Sequence, residues 1–281
     1  MTQLKFFQFF PKNMISIIGM IHVRALPGTP CCTSFFDLKK LIDIACEEAS
    51  IYVKYGLQGI CIENMFDRPY INSNALPGPE ITAVMTRICS EVRRVAPNIP
   101  CGVQILAGLN HQALAVAQAA ELQFIRAEGY IFSHIADEGL MIDACAGPLL
   151  RYRKQIDAEN VMIFCDIKKK HSSHSITADL DLKETAQAAK FFLSDGIIIT
   201  GKETGNVPEE EHLQQAKQIE NIPLLVGSGV NDSNIQLMID HKINAAIIGS
   251  HFKIDGKWFN DIDEKRVENF MNKWNQIYTS K

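Results

Sequence analysis

The sequence predicts a single (β/α)8 TIM barrel over residues 14–281, preceded by an N-terminal appendage of residues 1–13. Three observations carry this. Eight short runs rich in β-branched residues begin 22 to 43 residues apart, and each gap holds a helical pattern, the layout of a barrel of about 250 residues. The runs are almost continuously apolar (ISIIGMI, GIIIT, AAIIG), as parallel strands covered on both faces must be. The turn after the first run reads HVRALPGTP. It lacks the G-x-G-x-x-G that an open doubly wound sheet offers at that point.

The first strand is expected over Ile15–Ile21, with a helix over Asp37–Tyr55 that Asp37 can cap and Gly56 can end. The second pair is Gln58–Glu63 and Pro79–Val95, where a proline in the first turn loses no hydrogen bond. Cys101–Leu106 leads to Asn110–Glu121, and Gln123–Glu128 to a long helix over Gly139–Ile156. Val161–Ile167 precedes Asp179–Ser194, and Gly196–Thr200 precedes Pro208–Ile219. Pro223–Gly227 is followed by a helix opened by Asn231 and reaching Asp240; Ala245–Gly249 is the last strand and Asp263–Ile277 the last helix. Every gap is long enough for a right-handed crossover. No linker or composition shift divides the chain.

Composition narrows the function. Hydrophobic residues are 47% and charged residues 21%, ordinary globular usage, and the net charge is −4, so no net field favours nucleic acid. No apolar run approaches the ~18 residues of a membrane span, so integral membrane association is not expected. The eight cysteines include no C-x-x-C pair and several sit inside apolar runs, which points to buried, reduced thiols inside the cell. MTQLKFFQFFPKN has two lysines and four phenylalanines, and the first acid of the chain is Asp37. Lacking the arginine and serine of an import signal, it favours the cytosol, with the mitochondrial matrix as the alternative.

A barrel of this kind carries its chemistry at the carboxyl ends of the strands. The polar residues there are His22, Glu63 with Asn64, Gln104, Arg126 with Glu128, Asp166, Thr200 with Gly201, Ser228 between Gly227 and Gly229, and Ser250 after Gly249. His22, Glu63, Arg126 and Asp166 are the expected acid–base and charge-stabilising groups; Asn64, His171, Thr200 and Gly201 are the expected substrate contacts. Arg126 and Glu128 share one strand face, where they are alternatively an ion pair closing the barrel top. In DIKKKHSSHS, at least two of Lys168, Lys169 and Lys170 read as a solvated charge run. His171 and His174 lack the third ligand a metal needs. No nucleotide-cofactor motif occurs, and a divalent metal would require Asp166, Glu63 and a histidine to converge. VGSGV and IIGSHF supply Gly227, Ser228, Gly229, Gly249 and Ser250 after the seventh and eighth strands, the usual phosphate position in such barrels.

Taken together, IGMIHVRALPGTP, GICIENMFDRPY, FIRAEG, LLRYRK, TGKETG, VGSGV and IIGSHFK resemble the successive motifs of the BtpA family, from about Met14 to Met271. The resemblance implies a TIM-type barrel of the phosphate-binding group. One bacterial branch of that family is associated with stabilising photosystem I, another lies near sugar-utilisation genes, and no settled reaction comes with the name. The family-like positions include His22, Pro27, Gly28, Glu63, Asn64, Asp67, Arg126, Asp166, Lys170, His171, Thr200, Gly201, Thr204, Gly205 and Gly227 to Gly229. The expectation is an enzyme (isomerase, lyase or hydrolase) acting on a small phosphorylated metabolite such as a phosphosugar or nucleotide. The alternative is a non-catalytic assembly factor or ligand-binding regulator. Self-association into a homo-oligomer is left open.

Overall fold

The computed structural model describes residues 2–32, 36–72, 75, 77–201, 205–216 and 218–279; Lys202 and Thr204 of the TGKETG motif lie outside them. Eight parallel strands among these residues close a barrel: β1 (Ser16–His22), β2 (Gly59–Glu63), β3 (Cys101–Gln104), β4 (Phe124–Ala127), β7 (Met162–Asp166), β9 (Gly196–Ile199), β10 (Leu224–Val226) and β11 (Ala245–Ile248). Each neighbours its sequence successor, and β11 returns to β1. Helices α2 (Leu38–Lys54), α3 (Pro79–Val95), α4 (Asn110–Ala119), α5 (Ala146–Gln155), α6 (Leu182–Phe191), α7 (Glu210–Ala216) and α8 (Ile235–Asp240) follow successive barrel strands, and α9 (Glu264–Thr279) follows β11. The expected strands are thus present, with ends shifted by one or two residues; β1 runs one residue further, to His22.

The alternation of strand side chains makes two cores. Ile17, Ile21, Ile60, Ile62, Val103, Ile125, Ile163 and Ile197 face the helices. The opposite parity (Ile18, Met20, Cys61, Phe124, Met162, Phe164, Ile198, Leu225, Ile247) fills the interior. Packing there is matched large to small: Gly102 pairs with Phe124 across β3 and β4, and a Cβ on Gly102 would lie 2.2 Å from the Phe124 ring. The same interior parity continues upward to His22, Glu63, Gln104, Arg126 and Asp166. The register His22↔Glu63↔Gln104 sets three of them in one row. A polar layer thus caps an apolar barrel.

Two expectations change and a third gains detail. The appendage of residues 1–13 carries helix α1 (Thr2–Phe9), and Phe6 on it and Phe10 just past it pack into the barrel's lower end. These rings stack at 4.6 Å, and Phe6 meets Phe164 edge-on at 5.7 Å. A lone phenylalanine run has no periodicity to announce that role. The helix expected from Gly139 starts at Ala146. Before it, β5 (His134–Ala136) and β6 (Gly139–Met141) pair antiparallel, and β5 also pairs with β8 (Ser172–Ser173). This small sheet joins the loops after β4 and β7. Finally, Asn231 does not open a helix. Its carboxamide caps a turn through Ser233 N–H, and α8 begins at Ile235.

Candidate functional site

The polar layer opens into a cavity of about 240 Å³ whose walls include His22, Glu63, Arg126 and Lys170 on one side. The turns Gly227-Ser228-Gly229 and Gly249-Ser250, with His251 and Arg266, form the other. A second lobe of about 340 Å³ shares Glu63, Met65, Arg126 and Lys170 with the first and extends to Trp258, His171 and the β5–β6 turn residues Asp137 and Glu138.

Each charged group in this layer has a defined partner or environment. Arg126 donates from Nε and Nη2 to the two oxygens of Asp166, at 2.8 and 2.9 Å, and both side chains are almost fully buried. Burial opposes the guanidinium charge, but Asp166 outweighs it and holds the arginine firmly protonated. With both oxygens engaged, Asp166 lies behind Arg126 and outside the cavity walls, so it positions the arginine. The alternative reading of Arg126 and Glu128 as an ion pair does not hold: each has another partner. Glu128 lies just past the end of β4, where it accepts from Gly108 N–H at 3.1 Å and meets Lys169 Nζ at 3.2 Å. Burial alone would raise its pKa; Lys169 and Arg126 instead bring it below the ordinary carboxylate value.

His22 and Glu63 form the titratable pair. The Trp258 carbonyl, 3.0 Å from His22 Nδ1, accepts a hydrogen bond from Nδ1–H and leaves Nε2 as the bare lone pair, 3.9 Å from Glu63 Oε2. Burial, reinforced by the Lys253 ammonium, pushes the imidazole down to about 3, so it is neutral near pH 7. Burial raises the Glu63 carboxyl above its usual value despite Arg126 and Lys170. The ordinary order of the two groups is thereby inverted, with the carboxyl holding a proton more tightly than the imidazole, and a ligand between them can exchange a proton with either. Lys253 itself is held against α2 by a buried ion pair with Glu48.

The glycines serve this layer as much as any ligand. A Cβ on Gly249 would lie 2.9 Å from His22 Nε2, and one on Gly227 would lie 3.0 Å from Arg126 Nη2. Gly229 has φ +73°, and a Cβ there would meet Val207 N at 2.1 Å. Ser228 is structural at its hydroxyl, which accepts from Gly201 N–H at 2.9 Å and donates to the Asn206 carbonyl at 2.8 Å.

The remaining expected contacts divide. Asn64 donates to Asp67 and accepts from Leu106 N–H, which binds the β2 and β3 loops together; Asp67 in turn accepts from Leu26 N–H and Thr29. Thr200 accepts from Lys170 N–H at 3.0 Å. Asn64, Thr200 and Gly201 therefore stand outside the cavity walls, and they shape it through its loops. His171 lines the second lobe, with Nδ1 3.7 Å from Asp137. Among the described residues no three histidine, cysteine or acidic side chains are grouped as a metal would need. The solvated lysine run is overturned: Lys169 is buried against Glu128 and Lys170 lines both lobes, its pKa lowered by burial and by Arg126. Alternation fails beyond a strand end, so their direction was not readable. Arg266 and Trp258 were also missed; neither lies near a strand in sequence.

A model of the BtpA family matches residues 13–276. The chain belongs to the BtpA family. A BtpA-family relative in Caenorhabditis elegans, named an uncharacterized mitochondrial protein, is 44% identical, with 93% of each chain covered. The photosystem I biogenesis protein BtpA of Synechocystis sp. is 31% identical over 91% of this chain and 86% of its own. Among solved structures, thiamine phosphate pyrophosphorylase from Pyrococcus furiosus matches with a TM-score of 0.58 over 95% of this chain and 98% of its own. At 12% identity that likeness speaks for the BtpA-family fold alone.

Proposed function

We propose that this BtpA-family barrel is an enzyme acting on a small phosphorylated metabolite by acid–base chemistry. The observation that carries the reading is one cavity joining the turns after β10 and β11 to Glu63, His22, Arg126 and Lys170. In this reading the phosphate lies against Gly229, Ser250 and Arg266, where glycine backbone and a guanidinium suit an anion. The reacting carbon lies over Glu63. Its raised proton affinity suits it to move a proton near neutral pH, His22 Nε2 is the second site for that proton, and Arg126 with Lys170 stabilises negative charge as it develops. Asp166 acts through Arg126. The name of the pyrophosphorylase neighbour, a phosphate enzyme on the same fold, supports the ligand class.

Of the two compartments left open by the sequence, the name of the Caenorhabditis elegans relative favours the mitochondrial matrix. The test is a thermal-shift screen of phosphorylated metabolites, since ligand bound to the native state raises apparent stability, followed by turnover of the hits. Glu63→Gln is expected to keep binding and lose turnover by about a hundredfold or more. Wild-type turnover in that variant would remove Glu63 from the reaction, and a screen in which only unphosphorylated compounds bind would overturn the ligand class.

A further inference from the structure

We infer that the second lobe is the seat of the hydroxyl-bearing part of the ligand, so that the substrate is a phosphorylated polyhydroxy compound lying across both lobes. This deepens the phosphate reading and rests on it for the placement of the first lobe.

The two lobes share Glu63, Met65, Arg126 and Lys170 as a common wall. A ligand anchored at the turns after β10 and β11 therefore reaches the second lobe only by passing the titratable groups. The second lobe then offers hydrogen-bond acceptors without matching donors. Gln104 is 1% exposed; its amide nitrogen donates to Glu128 at 3.3 Å, while its Oε1 is buried with no hydrogen-bond partner among the described residues. Glu138 Oε2 is likewise buried without a hydrogen bond, with Lys169 Nζ 4.0 Å away. Both residues line the lobe. Buried acceptors without donors cost free energy unless something supplies the donors, so the group that fits here carries hydrogen-bond donors, and a hydroxyl is one that adds no charge.

The neighbouring wall favours a sugar-like chain over a charged one. Glu128 and Asp137 place negative charge there beside the cations Lys169 and Arg68. A second anion would have to displace ion pairs already made, such as Glu128 with Lys169, whereas a hydroxyl both donates to the free acceptors and accepts from the cations. Trp258 lines the lobe as an aromatic wall, with Arg68 4.8 Å over its ring. Aromatic faces suit the C–H side of a polyhydroxy chain.

The test uses ribose 5-phosphate, pentyl phosphate of similar length without hydroxyls, and inorganic phosphate, each titrated calorimetrically into the full chain and into Gln104→Met, with a crystal structure of the ribose 5-phosphate complex. Ribose 5-phosphate is expected to bind about tenfold or more tightly than pentyl phosphate to wild type. That preference should shrink in Gln104→Met, while affinity for inorganic phosphate stays the same. Glu138→Leu, which leaves the Gln104–Glu128 bond intact, should reduce the same preference and guards against a misfolded first variant. Equal affinity of the two esters, or a preference that survives both variants, overturns the inference. In the complex, sugar hydroxyls within hydrogen-bond reach of Gln104 Oε1 support it. Phosphate at the β10 and β11 turns with the pentose pointing to solvent overturns it while leaving the phosphate reading intact. Sugar in the second lobe with phosphate elsewhere supports that lobe as the hydroxyl seat but overturns the phosphate reading and with it the span across both lobes; density in neither lobe overturns both.

Discussion

Arg126 and Asp166, two strand-end residues expected at the site, are bound to each other through both carboxylate oxygens. Both point into the barrel because strand alternation requires it, and a charge there must be paired. The pairing makes Asp166 a positioning residue, so Asp166→Asn is expected to destabilise the fold by about 3 kcal/mol or more, the usual effect of leaving a buried charge short of its partner. The double variant Arg126→Met with Asp166→Leu should recover much of that loss. Urea midpoints read both, and a single variant as stable as wild type would contradict the assignment. His22 gives a pH test. Its folded pKa near 3 lies below the 6.5 of a free imidazole, so between these values the unfolded chain binds more protons. Its contribution to stability is present above about pH 6.5 and lost as pH falls toward 3. His22→Asn, whose amide can still donate to the Trp258 carbonyl, should flatten the acid limb of the stability profile. A profile identical to wild type would show that His22 does not titrate as described.

At the level of elements, the barrel strands were legible because apolar runs flanked by helical periodicity leave few alternatives, and the strand-end residues followed from counting to the end of each run. What escaped had no period to read. Helix α1 reads as an aromatic run, and only the tertiary contact of Phe6 with Phe164 shows it to be the barrel's lower plug. Phe6→Ala is accordingly expected to cost about 3–5 kcal/mol of stability, with affinity for phosphate at the opposite end of the barrel unchanged. A loss below about 1 kcal/mol would show the plug to be dispensable. The β5–β6–β8 sheet is made of strands two or three residues long, too short for alternation to register. Lys169 and Lys170 lie just past β7, where the loop and not the strand decides direction. The glycine turns were found for an incomplete reason. Gly229→Val should unfold or loosen the chain, because φ +73° and the 2.1 Å approach to Val207 N leave no room, and a circular-dichroism melt unchanged from wild type would contradict that. Ser250→Asp is the cleaner probe of the anion site.

For the molecule as a whole, the apolar barrel, its plug and its helical coat exist at one end to hold a layer of charge at the other. That layer is assembled from β1, β2, β3, β4 and β7, so no short segment of sequence displays it. Among the described residues no helix is long and apolar enough to cross a membrane. The central claim is that the space between the β10 and β11 turns binds phosphate. The most direct measurement is a crystal structure of the wild-type chain soaked in millimolar phosphate, with Ser250→Asp soaked in parallel. Tetrahedral density is expected between Gly229 and Ser250 within reach of Arg266 in the wild type and none in the variant. Density elsewhere with these turns empty, or equal density in both proteins, would contradict it.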